Sequence, residues 1–116
     1  MLTLDPAATS AASATAAKAM GLYARRHVSA ARWWRDLVPL LSSAAAQAYR
    51  YTDPRNVPPT TVTGPGVVTS DSTGQVARVA VATDVGSYLV ILSRSTDTPA
   101  RWRVERFVPP ENVGGN

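Results

Sequence analysis

The 116-residue chain lacks cysteine, and its only histidine is His27. The absence of cysteine excludes disulfides, thiolate nucleophiles and cysteine metal sites together, and it leaves the redox compartment undecided. Four aspartates fall where turns need side-chain acceptors for backbone N–H groups, so we interpret them as turn residues and predict no metal and no cofactor. These are Asp53, Asp71, Asp84 and Asp97.

Long hydrophobic runs are missing as well. The longest run of large apolar residues spans residues 88–92, far below the ~20 residues that a bilayer-crossing helix needs, so we predict no membrane span. The first five residues, MLTLD, also lack the basic start and apolar centre of a secretory signal. Two locations stay open: cytoplasmic, or extracytoplasmic if the chain is a soluble piece of a membrane-anchored protein.

What is present is an ordinary globular composition, with 45% apolar and 17% charged residues in a length typical of one domain. The net charge of +4 is unevenly placed. Residues 1–50 carry six cationic side chains against two acidic ones, whereas residues 51–116 carry six of each. The whole excess therefore lies in the N-terminal half, which bears on the choice of partner.

Asp5 and Pro6 form a good helix start, because Asp caps free N–H groups and Pro at the first helical position has none to lose. We predict a helix from there to about His27, with an apolar stripe made mainly of alanine. Because alanine buries little area, residues 1–15 should be a weakly ordered start of this helix. Gly21 inside the helix predicts the close approach of another element.

A second helix should follow Ser29, a good N-cap, and it carries the neighbouring residues Trp33 and Trp34. Two adjacent tryptophans cannot share one narrow helix face. We therefore expect one indole to be buried against the central strand and the other to border the mouth of a pocket.

Two breaks divide the remainder of the helical half. Pro39 should end or kink the second helix, and Ser42 or Ser43 should cap a short third helix through Tyr49. Four prolines within residues 52–66 exclude a regular helix there, so this segment is the crossing from helices to strands.

The second half predicts an antiparallel meander of about four strands. A strand over residues 60–70 is interrupted by Gly-Pro-Gly, which places it at a sheet edge or gives it a bulge. Residues 75–84 alternate, and residues 87–95 are apolar on both faces, as a central strand covered twice would be. We predict an α+β fold with residues 16–110 as a single domain and 111–116 as a disordered tail.

The last strand alternates between apolar and charged residues. We expect three side chains to point inward and three to point outward. The inward set is Trp102, Val104 and Val108, and the outward set is Arg101, Arg103 and Glu105.

Several short runs resemble a known family: residues 33–41 (WWRDLVPLL), 51–60 (YTDPRNVPPT), 62–65 (VTGP) and 101–106 (RWRVER). Together with the order of helices before a meander, they resemble actinobacterial proteins of the NTF2-like superfamily. The resemblance implies a cone in which N-terminal helices pack on a curved antiparallel sheet. Such relatives include soluble domains of conjugation and type IV secretion assembly proteins, small-molecule binders and isomerases.

No catalytic set stands out in the sequence. Isomerases of that superfamily pair a carboxylate base with a tyrosine or an acid that stabilises an oxyanion. Asp36 is the acid that could be partly buried, but pairing with Arg32 one turn earlier on the helix is favoured. His27 has no carboxylate within one helical turn, so we interpret it as a capping or solvent-exposed residue. We predict no catalytic residue and favour a non-enzymatic protein.

One basic cluster stands out in the helical half, and it consists of Arg25, Arg26, Arg32 and Arg35. Without interleaved exposed aromatic residues it is a modest footprint for nucleic acid, so a solvated face or a protein contact is favoured. The first hypothesis is therefore a protein-interaction or assembly module, for example a component of a conjugative or secretion apparatus. It would bind a protein partner or a second copy through this cluster, or through the sheet surface with Arg101, Arg103 and Glu105.

The second hypothesis is a small-molecule-binding or ketosteroid-isomerase-like protein that uses the cone as a pocket. Four aromatic residues would line that pocket: Trp33, Trp34, Tyr88 and Trp102. The two hypotheses expect different interiors, because a ligand pocket needs an open cone with an acid inside it.

Overall fold

A computed structural model describes residues 2–59 and 61–110. Three helices come first: α1 (Pro6–Tyr23), α2 (Ala30–Leu37) and α3 (Ser43–Tyr49), with 3-10 turns at Val38–Leu40 and Pro54–Asn56. Four strands follow: β1 (Val62–Val68), β2 (Val76–Thr83), β3 (Gly86–Ser93) and β4 (Arg103–Val108). The predicted α+β class is confirmed. Position 60 of the predicted first strand and the predicted tail at 111–116 lie outside the described residues.

The helix starts are where the capping residues predict them. The Asp5 carboxylate accepts a hydrogen bond from the Ala8 N–H at 2.8 Å, and the Ser29 and Ser42 hydroxyls cap α2 and α3 in the same way. A side-chain oxygen at these positions satisfies an N–H that has no partner within the helix. Pro39 follows the end of α2 and lies in a 3-10 turn, as expected. None of the described helices has the length and apolar character needed to cross a membrane.

Helix α1 ends at Tyr23, four residues before the predicted end at His27. The indole Nε1 of Trp33 donates a hydrogen bond to the Tyr23 carbonyl at 3.0 Å, in a buried position. This contact satisfies one of the carbonyl groups that a helix leaves free at its C-terminus. The sequence of α1 alone could not indicate it, because the donor belongs to α2.

Helix α1 lies close to the sheet at Gly66 of β1, where an added Cβ would lie 2.9 Å from the Ser13 carbonyl oxygen. The Ser13 hydroxyl donates to the Gly66 carbonyl at 2.6 Å, and a Cβ on residue 66 would lie 2.8 Å from Val79 Cγ1. The expectation that Gly21 marks a close approach is wrong, because a Cβ there would have no neighbour within 4 Å. At position 66, only glycine permits this short distance between helix α1 and strand β1.

The strands pair antiparallel in the order β1-β2-β3-β4, which is a simple meander. Strand β1 lies at one edge, and its register shifts between Val62 and Gly66, as the Gly-Pro-Gly sequence predicts. At the other edge, Leu41 forms a parallel bridge with Val104, and the Ser42 N–H donates to the Val104 carbonyl at 2.9 Å.

The predicted alternation of β4 is only half right. Trp102 and Val104 point inward as expected, but the register shifts between Ile91 and Leu92 of β3, and Phe107 is buried in place of Val108. Because side chains alternate along a strand, one extra residue moves every later residue to the other face. Val108 therefore pairs with Leu89 on the outward side of the sheet.

The core lies between the helices and one side of the sheet, which we call the inner face. At its centre the rings of Tyr23 and Phe107 stack with their centroids 4.2 Å apart. Trp33, Tyr49 and Tyr88 surround Tyr23 at centroid distances of 5.9, 6.0 and 6.3 Å. Such pairs add stability beyond the area that they bury. The aromatic end of α1 is therefore anchored by a five-ring cluster.

The opposite side of the sheet, which we call the outer face, is not covered by any helix within residues 2–59 and 61–110. In β3, Tyr88, Val90 and Leu92 are buried, whereas Leu89 and Ile91 are only half-buried. The expectation that this strand is covered twice is therefore wrong for the described chain.

Candidate interaction surfaces and clefts

The outer face carries an apolar row that crosses all four strands. Backbone pairing aligns Val67 of β1, Ala80 of β2, Leu89 of β3 and Val108 of β4. Val67 is 62% exposed. Large apolar side chains on a sheet are normally buried, so this partly exposed apolar row is a candidate surface for binding another molecule.

Arginines flank this row on the same face. The neighbouring row aligns Arg78, Ile91 and Arg106, and Arg103 lies opposite Ser93 one row further. Arg78 pairs with Asp71 at 3.5 Å, in an exposed position. Within the described chain, the guanidinium groups of Arg103 and Arg106 have neither an acidic partner nor a hydrogen-bond acceptor. The outer face therefore combines an apolar centre with excess positive charge.

The three residues predicted for the sheet surface separate in the structure. Arg103 lies on the outer face, and Arg101 lies in the exposed loop before β4. Both carboxylate oxygens of Glu105 accept hydrogen bonds, one from the Ser42 hydroxyl and one from the Ser93 hydroxyl. Glu105 thus fastens the start of α3 to the sheet.

Sequence reasoning missed Arg78 and Arg106 as members of this surface. The sequence of β3 could have indicated this surface, because a strand that is apolar on both faces implies that another element or a partner packs on each face. The helices of the described chain supply only one cover, so the arginines beside the uncovered face become candidates for contact with a partner.

The basic cluster on the helices is organised around one acid. The Asp36 carboxylate accepts a hydrogen bond from Arg25 Nη1 at 3.0 Å, and Arg32 Nε and Arg35 Nε lie 3.7 Å from its oxygens. The hydrogen bond from Arg25 lowers the pKa of Asp36, and the three positive charges lower it further against the opposing effect of desolvation. The expected pair of Asp36 with Arg32 is confirmed, although Arg25 is the nearer partner.

The remaining predicted cluster member, Arg26, lies on a different surface. Its Nε donates to the Val57 carbonyl at 3.1 Å, and its Nη2 donates to the Pro58 carbonyl at 3.2 Å. Arg26 thus ties the end of α1 to the proline-rich crossing, and it borders a surface cleft with Trp34. The four arginines therefore divide into three that surround Asp36 and one that contacts the proline-rich crossing.

The four aromatic residues of the predicted pocket are not brought together around one cleft of the described surface. Trp33 and Tyr88 are buried in the core, and burial, followed by the proximity of Tyr49, raises the pKa of Tyr88. Trp34 borders the cleft beside Arg26, whereas Trp102 borders a separate cleft beside the N-terminal half of α1. Side chains fill the space between helices and sheet, which counts against an open cone.

Trp102 packs against the side chain of Arg94, which connects several segments of the chain. The guanidinium carbon of Arg94 lies 4.6 Å from the centroid of the Trp102 ring. The same guanidinium donates to the carbonyls of Thr3, Gly74 and Pro99 at 2.7, 2.7 and 2.9 Å. One side chain thereby holds three segments that are distant in sequence.

Comparison of the chain with models of known protein families, with curated proteins and with solved structures gave no significant match. Among the described residues, no three histidine, aspartate or glutamate side chains lie close enough to share a metal ion. Three carboxylates contact other side chains of the chain: Asp36 pairs with arginines, Asp53 pairs with Arg55, and Glu105 accepts hydrogen bonds from two hydroxyls.

Proposed function

We propose that this protein is a non-catalytic interaction module whose outer face docks on a protein partner. The observation that carries the proposal is the apolar row Val67, Ala80, Leu89 and Val108, which has no cover from the described chain. Burying such a row against a partner releases water from apolar surface, which is the main favourable term in protein association.

The chemistry of the face favours an acidic partner over a second copy. Arg103 and Arg106 lack acidic partners within the described residues, and the carboxylate of Glu105 is already engaged by Ser42 and Ser93. Two such faces brought together would oppose positive charges, at a cost in free energy. A partner with carboxylates around an apolar centre would instead pair with these guanidinium groups.

We further propose the finer assignments that the sequence suggests, namely an NTF2-like cone and a role in assembling a conjugative or secretion apparatus. The α+β meander with helices on one face is compatible with such a cone. The resemblance of residues 33–41 and 51–60 to that superfamily supports both assignments. Transfer or secretion genes beside the gene for this chain would strengthen the role in assembly.

Site-specific photo-crosslinking tests the docking proposal. A photoreactive amino acid at Leu89, on the outer face, should capture one discrete partner in the native cell. The same group at Lys18, an exposed position on α1, should not capture that partner. Arg106→Glu should abolish capture at Leu89, because it places a negative charge where an acidic partner approaches.

Sedimentation velocity completes the test. Dimerisation that Leu89→Asp abolishes would assign the outer face to a second copy, and it would contradict the acidic partner. A monomer that gives the same crosslinks from Leu89 as from Lys18 would contradict protein docking by this face.

A further inference from the structure

A second surface has the features of a binding site for a small molecule, and it lies among the helices, away from the outer face. A cleft of about 680 Å³ separates the α1–α2 connection from the segment that follows α3. We call it the helical cleft. Its walls are residues 26–30, residues 50–55 and the side chain of Trp34. The volume falls in the range of about 300–1,000 Å³ that is usual for small-molecule sites.

The charges of the helical cleft are unbalanced. Its one acidic residue, Asp53, is occupied by Arg55, whose Nε and Nη2 donate to the two carboxylate oxygens at 3.2 and 3.0 Å. Arg26 is held by backbone carbonyls, and Arg50 is exposed. Within the described chain, neither Arg26 nor Arg50 has an acidic partner. The guanidinium group of Arg50 and the Nη1 group of Arg26 are therefore available to an anion in this cleft.

Aromatic rings lie beside these cations. Trp34 is half-buried on one wall, and Tyr51 is 86% exposed on the other. The guanidinium carbon of Arg50 lies 5.2 Å from the centroid of the Tyr51 ring. Exposed aromatic rings next to arginines provide flat apolar surface on which a planar ligand ring can stack.

We infer that the helical cleft binds a small aromatic anion, a planar ring that carries a phosphate or a carboxylate group. Arg50 and Arg26 hold the anionic group through charge-assisted hydrogen bonds. Trp34 and Tyr51 pack against the ring. Ligand binding in the helical cleft is independent of protein docking by the outer face, since the two sites share no residue.

Isothermal titration calorimetry on the full chain tests the inference with four probes. Adenosine monophosphate carries a ring and a phosphate, and 1-naphthoate carries a ring and a carboxylate. Adenosine and inorganic phosphate each supply one of the two features. At least one of the two ring anions should bind with 1:1 stoichiometry, at least about tenfold more tightly than adenosine and inorganic phosphate. Which ring anion binds more tightly identifies the anionic group.

Variants locate the binding. Arg50→Gln and Tyr51→Ala change exposed side chains and should each weaken the preferred ring anion, Arg50→Gln by about tenfold. Arg106→Gln removes the same charge from the outer face and should change the dissociation constant by less than about twofold. Circular dichroism and thermal melting verify that each variant is folded.

Three results would overturn the inference. The first is the absence of binding by both ring anions at concentrations of about 1 mM. The second is equal weakening by Arg50→Gln and Arg106→Gln, which would assign the affinity to net charge rather than to the cleft. The third is an unchanged dissociation constant in Arg50→Gln and Tyr51→Ala, which would place the ligand elsewhere.

Discussion

The two faces of the sheet are built from the same strands, yet they differ in how far their apolar side chains are buried. On the inner face, Tyr88, Val90 and Leu92 alternate with no gap and are buried under the helices. On the outer face, Leu89 and Ile91 occupy the intervening positions and stay half-buried. The buried residues of the inner face should therefore contribute most of the stability, and the partly exposed apolar residues of the outer face should contribute less. This difference agrees with the proposed docking of a partner on the outer face.

The largest expected difference between the faces comes from truncating leucine on β3. Leu92→Ala removes a fully buried side chain and should lower the free energy of unfolding by about 2–5 kcal/mol, because it leaves a cavity in the core. Leu89→Ala, three positions earlier on the outer face, should cost about 1 kcal/mol or less. Urea denaturation of both variants measures the contrast. Equal losses would mean that the outer face is part of the folding core.

Glycine substitutions on β1 should show the next largest contrast. In Gly66→Ala the new Cβ would lie 2.8 Å from Val79 Cγ1 and 2.9 Å from the Ser13 carbonyl oxygen, so the helix or the strand must move. We expect a loss of about 1–3 kcal/mol. In Gly64→Ala the nearest atom is Ala82 Cβ at 3.4 Å, so the change should stay within about 1 kcal/mol. Thermal unfolding of the two variants measures the contrast. An unchanged stability in Gly66→Ala would contradict the close packing of α1 on β1.

The Ser13 hydroxyl tests how firmly the alanine-rich start of α1 rests on the inner face. Ser13→Ala removes the hydrogen bond to the Gly66 carbonyl and should cost about 1 kcal/mol. Ser10→Ala, an exposed position one turn earlier, serves as the control. If residues 1–15 dock as weakly as the sequence predicts, hydrogen exchange in this segment will be fast and Ser13→Ala will have no effect on global unfolding.

The smallest contrast concerns alkaline pH. Burial, and then the proximity of Tyr49 and Tyr88, raises the pKa of Tyr23 above its ordinary value of 10.0. Because the folded pKa is the higher one, the stability that depends on a neutral Tyr23 is complete below pH 10 and is lost as the pH rises above it. Tyr23→Phe should therefore lose less stability than the wild type between pH 9 and about pH 10.5, by less than about 1 kcal/mol.

Denaturation at several pH values measures this difference. Tyr51→Phe is the matched control, because Tyr51 is exposed and lies outside the core. If Tyr51→Phe resists alkali as well as Tyr23→Phe does, burial is not the cause.

Local chemistry made much of the fold predictable. Asp5, Ser29 and Ser42 determine helix starts through their own side chains, and Pro39 limits a helix through its ring, so short sequence windows contain the information. The meander follows from apolar alternation and turn residues in the same way.

What the sequence could not provide depends on contacts between distant segments. The bulge in β4 moves Phe107 to the inner face, and it depends on pairing with β3. The indole of Trp33, which belongs to α2, donates a hydrogen bond to the carbonyl of Tyr23 at the end of α1. Likewise, the separation of Arg26 from the cluster around Asp36 results from how the proline-rich crossing folds back. Patterns within single elements therefore predicted where helices and strands lie along the chain. They did not predict which residues from different elements share a surface.

The edges of the sheet restrict the ways in which copies of this chain could polymerise. At the β4 edge, the bridge from Leu41 and the Ser42 N–H already occupy hydrogen-bonding groups of Val104. At the β1 edge, Pro65 has no N–H, and the register shift between Val62 and Gly66 breaks the straight line of donors and acceptors. Both devices oppose the addition of further strands, the step by which exposed sheets grow into fibrils. The molecule can thus keep an apolar face in water with a reduced risk of amyloid-like aggregation.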